Sequence, residues 1–421
     1  MQREKVDVLV IGAGPAGTVA ASLVNKSGFK VKIVEKQKFP RFVIGESLLP
    51  RCMEHLDEAG FLDAVKAQGF QQKFGAKFVR GKEIADFNFS DQFSNGWNWT
   101  WQVPRGNFDK TLADEAARQG VDVEYEVGVT DIKFFGTDSV TTIEDINGNK
   151  REIEARFIID ASGYGRVIPR MFGLDKPSGF ESRRTLFTHI KDVKRPVAAE
   201  MEGNRITAVV HKPKVWIWVI PFSNGNTSVG FVGEPSYFDE YTGTPEERMR
   251  AMIANEGHIA ERFKSEEFLF EPRTIEGYAI SASKLYGDGF VLTGNATEFL
   301  DPIFSSGATF AMESGSKGGK LAVQFLKGEE VNWEKDFVEH MMQGIDTFRS
   351  FVTGWYDGTL HAVFFAKNPD PDHKRMICSV LAGYVWDKNN PFVKKHNTIL
   401  KTLAKVIQMG EEALEHHHHH H

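Results

Sequence analysis

Val6-Asp7-Val8-Leu9-Val10-Ile11-Gly12-Ala13-Gly14-Pro15-Ala16-Gly17 decides the reading of this chain. Val6 to Ile11 is the apolar run of a strand buried on both faces, as in a parallel sheet. The glycines follow without a gap. Val19, Ala20, Leu23 and Val24 then recur at helical spacing, and a second apolar run, Val31 to Val34, ends on Glu35. Each part has a physical reason. One glycine permits the tight turn, a second lets the backbone approach a pyrophosphate, and a third lets helix and strand pack closely. The helix then turns its positive end toward the phosphates. Glu35 stands near the ~20-residue offset at which a carboxylate meets a ribose hydroxyl. Three glycines alone are a weak signal. Strand, glycines, helix, strand and acid in that order are a strong one. The motif does not by itself separate NAD from FAD, though a single copy at the N-terminus leans toward FAD.

The rest of the composition is compatible with this opening. A chain of 421 residues is long enough for two or three domains, and 41% hydrophobic with 26% charged residues is the balance of a globular protein. Residues 414–421 read as an expression tag and are set aside. The formal charge of −6 and the absence of any basic block argue against nucleic acid or an anionic membrane as partner. Two cysteines, Cys52 and Cys378, suit a reducing compartment and make no metal pattern. No apolar run reaches the roughly 18–20 residues of a membrane span. The first strand leads into glycines rather than a cleavage site, so no signal peptide is expected and a cytoplasmic location is.

Further segments carry a resemblance. Phe39-Pro40-Arg41-Phe42-Val43-Ile44-Gly45-Glu46-Ser47-Leu48-Leu49-Pro50 resembles the loop after the second strand of flavin-dependent halogenases. Pro104-Arg105-Gly106-Asn107-Phe108-Asp109 resembles the arginine segment of the wider single-component flavin monooxygenase fold. Asp160-Ala161-Ser162-Gly163 and Thr293-Gly294-Asn295-Ala296, followed by Asp301-Pro302-Ile303-Phe304-Ser305-Ser306-Gly307, resemble its second and third FAD fingerprints. Val215-Trp216-Ile217-Trp218-Val219-Ile220-Pro221 matches the WxWxIP motif of halogenases. Together they span residues 6 to 310 and resemble the halogenase-like group that also contains geranylgeranyl-reductase-type enzymes. One departure is Asn295, where the group usually has aspartate. An amide still accepts a hydrogen bond from a ribityl hydroxyl, without charge assistance.

The resemblance implies an α/β architecture: a Rossmann-type FAD-binding domain from 1–71, 97–182 and 273–330, with a β-sheet substrate domain inserted as 72–96 and 183–272, and C-terminal helices over 331–413. It implies FAD held by Gly12, Gly14, Pro15, Ala16, Gly17, Glu35, Lys36, Arg41, Gly45, Glu46, Ser47, Arg105, Asp160, Ala161, Gly163, Gly294, Asn295, Asp301, Pro302, Ser305, Ser306 and Gly307. Trp216, Trp218 and Phe304 would face an apolar aromatic substrate, phenol-like or carrier-bound. Phe304 stands where tryptophan halogenases carry glutamate, and so favours the phenol and pyrrole branch. In that family reduced FAD activates oxygen, halide is oxidised, and a lysine directs the hypohalous acid to an aromatic carbon. Phe74-Gly75-Ala76-Lys77-Phe78-Val79-Arg80-Gly81 resembles the lysine segment, so Lys77 is the expected catalytic residue. A compact ammonium whose pKa responds to burial suits that task; a strand lysine facing solvent is the plain alternative.

No NAD(P)H motif is visible, so a halogenase would draw on a separate flavin reductase. The histidines outside the tag (His55, His189, His211, His258, His340, His361, His373 and His396) make no metal-ligand pair, and no metal is expected. Two other readings share the FAD motifs: a dehydrogenase or reductase of a C–C bond in an apolar, isoprenoid-like substrate, which does not need Lys77, and a flavin-binding protein without turnover.

Overall fold

The computed structural model describes residues 1–179, 181, 183–197, 203–276, 280–294 and 301–419. Among the described residues the first sheet has eight strands, and its body is five parallel ones in the order Phe290–Leu292, Lys150–Asp160, Arg3–Ile11, Val31–Glu35 and Asp122–Tyr125. Val8, Leu9 and Val10 are fully buried in its central strand, as an unbroken apolar run in a two-sided sheet requires. The register pairs Ile11 with both Val34 and Asp160, and Asp160 with Leu292. The carboxyl ends of four strands therefore reach one level, and the crevice beyond them is where open α/β sheets bind ligands.

Two helices close that crevice from below. Pro15–Lys26 follows the first strand, and Gly307–Leu326 lies against it. A Cβ on Gly315 would stand 2.3 Å from the Ala16 carbonyl oxygen, and one on Gly319 would stand 3.1 Å from the Ala20 Cα. Ala16 meets Gly315 and Ala20 meets Gly319, so the helices run parallel and both positive N-terminal ends point the same way.

A seven-stranded sheet covers the crevice. Its order is Arg273–Glu276, Arg184–Lys191, Asn226–Gly233, Val215–Pro221, Thr207–Lys212, Gly75–Arg80 and Glu83–Asn88, antiparallel except where Thr207–Lys212 meets Gly75–Arg80. Alternation splits its side chains. Phe187, Ala208, Trp216, Trp218 and Ile220 face the main core. Leu186, Val209, Ile217 and Val219 face a second core with Met249, Met252 and Ile253 of the helix Pro245–Ala254. Trp218 stands opposite Gly230, where a Cβ would fall 2.3 Å from the indole; only glycine leaves room for the ring. The strand Arg273–Glu276, assigned above to the FAD-binding part, is instead the edge of this second sheet, because its residues pair with Arg184–Phe187. Helices His340–Tyr356, Thr359–Phe364, Pro371–Leu381 and Ile399–His419 form the C-terminal region.

Candidate functional site

A cavity of about 1200 Å³ lies beyond the carboxyl ends of the parallel strands. That exceeds most small-ligand sites, at roughly 300–1,000 Å³, and leaves room for a dinucleotide. Gly12, Gly14, Pro15 and Ala16 form one wall. The three glycines do different work. Gly12 has φ +106°, and a Cβ there would lie 2.1 Å from the Ala161 carbonyl oxygen; a Cβ on Gly17 would lie 1.9 Å from the Gly12 carbonyl oxygen. These two are required by the fold itself. Gly14 has only the Arg41 guanidinium near, at 3.5 Å, and its open side faces the cavity. No side chain caps the helix at Gly14, so its first N–H groups are open to an anion. Glu35 is buried on the cavity wall beside Lys36, and its carboxylate accepts the Ala13 and Gln37 N–H groups at 2.9 and 2.8 Å.

Arg41 and Arg105 reach the cavity from the opposite side. Both are fixed by Asp109, which is fully buried: Arg105 donates to its two oxygens at 2.7 and 2.9 Å, and Arg41 donates at 2.6 Å. Burial would lift the Asp109 carboxyl, but the two guanidiniums hold it below its ordinary value. The two guanidiniums outnumber the carboxylate that fixes them, where the pyrophosphate is expected. Asp109 was quoted in the arginine segment without a role; its separation of four residues from Arg105 on a helix was the available signal. Gly45, Glu46 and Ser47 also line the cavity, and Glu46 accepts from His189 at 2.7 Å.

Ala161, Gly163, Gly294, Pro302, Ser305 and Gly307 complete the expected wall, with Trp216 and Trp218 facing them from the covering sheet. Four expected cofactor residues stand elsewhere. Gly17 lies behind the turn. The Asp160 carboxylate is turned inward and accepts the Ser162 and Ile168 N–H groups at 2.9 and 2.8 Å, so it shapes the second fingerprint from behind. Ser306 precedes the helix without capping it through its side chain. Asp301 accepts the Tyr356 hydroxyl at 2.6 Å and the Ile303 N–H at 3.0 Å; burial raises its carboxyl to about 6 against those donors. Asn295 lies outside the described residues.

The strand register bears on the expected catalytic lysine. Lys77 aligns with Thr207 and Phe78 with Ala208 in the parallel pair, and Thr207 and Ala208 lie opposite Val219 and Trp218 in the antiparallel pair. The Lys77 side chain thus belongs to the face of Val219, and Phe78 to the face of Trp218. Lys77 nevertheless lines the small cavity described below, together with Phe78 and Phe304, and its N–H donates to Ile206 O at 3.0 Å. The buried lysine is Lys73, at the end of the short strand Gln71–Lys73. Its Nζ donates to the Ser47 Oγ and the Leu48 carbonyl, both at 2.8 Å. Among the described residues it forms no ion pair, and burial pushes its pKa down from 10.5 to about 7. It borders a second cavity of about 20 Å³ with Leu49, Phe78, Phe304 and Leu381. Ile206, Ala208, Ile303 and Ser305 wall both cavities, so the smaller one abuts the larger. Phe304 lies there rather than on the large cavity, within 6.0–6.4 Å of Phe78, Phe348, Phe351 and Trp355.

An open glycine on an uncapped helix end, a buried acid at the ribose position and two restrained arginines fit FAD. The matches to known proteins agree. The model of the FAD binding domain matches residues 5–333. A 1H-pyrrole-2-carbonyl-[peptidyl-carrier protein] chlorinase of Pseudomonas fluorescens is 27% identical over 99% of this chain and 96% of its own length. The corresponding brominase of Pseudoalteromonas luteoviolacea is 28% identical over 90% and 92%. The crystal structure of a flavoprotein/dehydrogenase from Cytophaga hutchinsonii superposes with TM-score 0.95 at 99% identity, covering 97% of this chain and all of that one. With cavity and matches in agreement, the chain belongs to the FAD binding domain family and is a halogenase-like, FAD-dependent oxidoreductase.

Proposed function

We propose that this enzyme halogenates a small aromatic ring, of the pyrrole or phenol type and carried on a protein or free, with Lys73 as its catalytic lysine. The observation that carries the reading is the buried and weakly basic amine of Lys73, without an ion-pair partner among the described residues, beside a cavity that abuts the flavin cavity. A buried lysine without a carboxylate costs stability, and such perturbed groups cluster at functional sites. Bound and reduced FAD supplies the electrons that activate dioxygen. The chain's own residues do the rest. Lys73 presents N–H donors to the electrophilic oxygen–halogen species and aims it away from the flavin. Ser47 and Leu48 fix the direction of Nζ. Phe78, Phe304 and Leu49 exclude water, so the electrophile is not spent on solvent. The small cavity has room for no more than a single water, so a substrate ring enters only when a ring among these phenylalanines turns aside.

The relatives that act on carrier-bound pyrroles support the substrate class. With no NAD(P)H motif in the sequence, a separate flavin reductase is the proposed electron source. The test supplies FAD, a flavin reductase with NADH, oxygen, and bromide or chloride, together with a pyrrole-2-carboxyl thioester or a phenol. Mass spectrometry should find a halogen in the product. Desaturation of an isoprenoid substrate, with no halogen incorporated in any aromatic, would replace this reading with the dehydrogenase one.

A further inference from the structure

Tyr356 was not marked by any motif, yet three parts of the molecule meet at its hydroxyl. It is the last residue of the helix His340–Tyr356 in the C-terminal region. Its O–H donates to the Asp301 carboxylate at 2.6 Å, and the same oxygen accepts the Trp216 indole N–H at 2.9 Å. The Arg183 guanidinium lies 4.0 Å from the centre of its ring, and Arg183 is itself buried. Trp216 is a wall of the flavin cavity on the covering sheet. Asp301 begins the turn Pro302–Phe304, whose Pro302 and Ile303, with Ser305, form the facing wall. The hydroxyl therefore spans from one wall of the cavity to the other, behind both.

The arrangement is directional. Asp301 spends its other oxygen on the Ile303 N–H, which sets the turn. Ser305 then adopts φ +58°, a conformation a non-glycine residue holds only when its surroundings enforce it. Ile303 and Ser305 also border the small cavity beside Lys73. A displacement of Asp301 would reach both cavities through one short, strained turn.

We infer that Tyr356 is a positioning residue for the flavin site, tying Asp301 and Trp216 together so that the C-terminal helix sets the spacing of the two cavity walls. This rests on the FAD site alone and stands whether or not the enzyme halogenates. The test uses the full chain stripped of FAD and titrated with FAD, read by quenching of flavin fluorescence and by the visible circular dichroism of the bound flavin. The dichroism reports the asymmetry around the ring, which a purely structural contribution to stability leaves unchanged. Tyr356→Phe should raise the Kd about tenfold, part of the roughly 10- to 100-fold that one charge-assisted hydrogen bond represents, and should alter the dichroism. Trp216→Phe, which removes the indole donor from the same oxygen and also shortens the ring on the cavity wall, should weaken FAD by about threefold. The double variant should be no weaker than Tyr356→Phe, since residues that act through one atom are not additive. Wild-type Kd and dichroism in a folded Tyr356→Phe protein would overturn the inference, as would additive effects in the double variant. Should Tyr356→Phe fail to fold, Trp216→Phe decides, and wild-type dichroism there would overturn it.

Discussion

Replacing Lys73 by methionine should stabilise the protein while abolishing its chemistry, and the size of the effect follows from burial. Lys73 is 2% exposed, and its pKa falls from 10.5 to about 7. Between those values the unfolded chain binds a proton that the folded chain does not, so wild-type stability rises with pH across that window. At about 1.4 kcal/mol per pH unit, the lysine costs the folded state about 4 kcal/mol at pH 7 and about 2 kcal/mol at pH 9. Methionine carries no charge and has similar volume. It forfeits two hydrogen bonds, to Ser47 and Leu48, worth roughly 1 kcal/mol each. The net expectation is a gain of about 2 kcal/mol at pH 7 and almost none at pH 9. Urea unfolding of both FAD-free proteins at the two pH values measures it, and all other titrating groups cancel in the difference. A stability difference that does not change between pH 7 and pH 9 would refute the claim that burial lowers the pKa of this ammonium. In the halogenation assay the variant should keep FAD and lose product by about a hundredfold or more, as expected for a group that acts only in the chemical step.

Lys77→Ala, on the outer face of the sheet, should leave FAD affinity and turnover within about twofold, measured in the same assays. Gly14→Val should fold with an unchanged melting temperature yet fail to bind FAD in the fluorescence titration, because among the described residues only Arg41 comes near a Cβ there, whereas a pyrophosphate would oppose it. Gly17→Val should fail earlier, as loss of soluble folded protein, since its Cβ collides with the Gly12 carbonyl. Asp109→Asn should cost about 3–5 kcal/mol in urea unfolding by stranding two guanidiniums. Asp109 titrates below the ordinary carboxylate value when folded, so its stabilisation is present above that value and is lost as the pH falls through the folded pKa. The gap between wild type and Asp109→Asn should therefore close toward acid pH.

What the sequence disclosed depended on whether the determining physics was local. The glycine-rich turn is local: Gly12 needs its left-handed φ and Gly17 its bare Cα whatever the rest of the chain does, so the first strand, its helix and Glu35 are legible in thirty residues. The faces of the covering sheet were half legible. Period-2 alternation places Trp216 and Trp218 on one side, but which side meets the flavin depends on which strand pairs with which. Lys77 shows the cost. Alternation correctly set it opposite Phe78, and the expectation then gave it the flavin face, which belongs to Phe78 and Trp218. Asp160 and Asp301 were read as ligands because acids at fingerprint positions look like ligands. The folded chain supplies each with backbone N–H donors, and the backbone it shapes forms the wall instead.

Lys73 is the harder case, because its local pattern misleads. In Gln72-Lys73-Phe74, hydropathy buries the phenylalanine and exposes the lysine, whereas the fold leaves Phe74 36% exposed and Lys73 sealed. The inversion has a long-range cause. Gln71–Lys73 pairs with Thr100–Gln102, and Gln102 pairs in turn with Ser47, which brings the loop after the second strand alongside. Only there do the Ser47 hydroxyl and Leu48 carbonyl exist for an ammonium to use. A chain that folds against its own hydropathy at one residue, and gives that residue no counter-charge among the described residues, holds strain that packing alone would have removed. The same three-strand contact that creates the strain delivers Nζ to the cavity beside the flavin. The proposed role of Lys73 rests on this coincidence rather than on any motif.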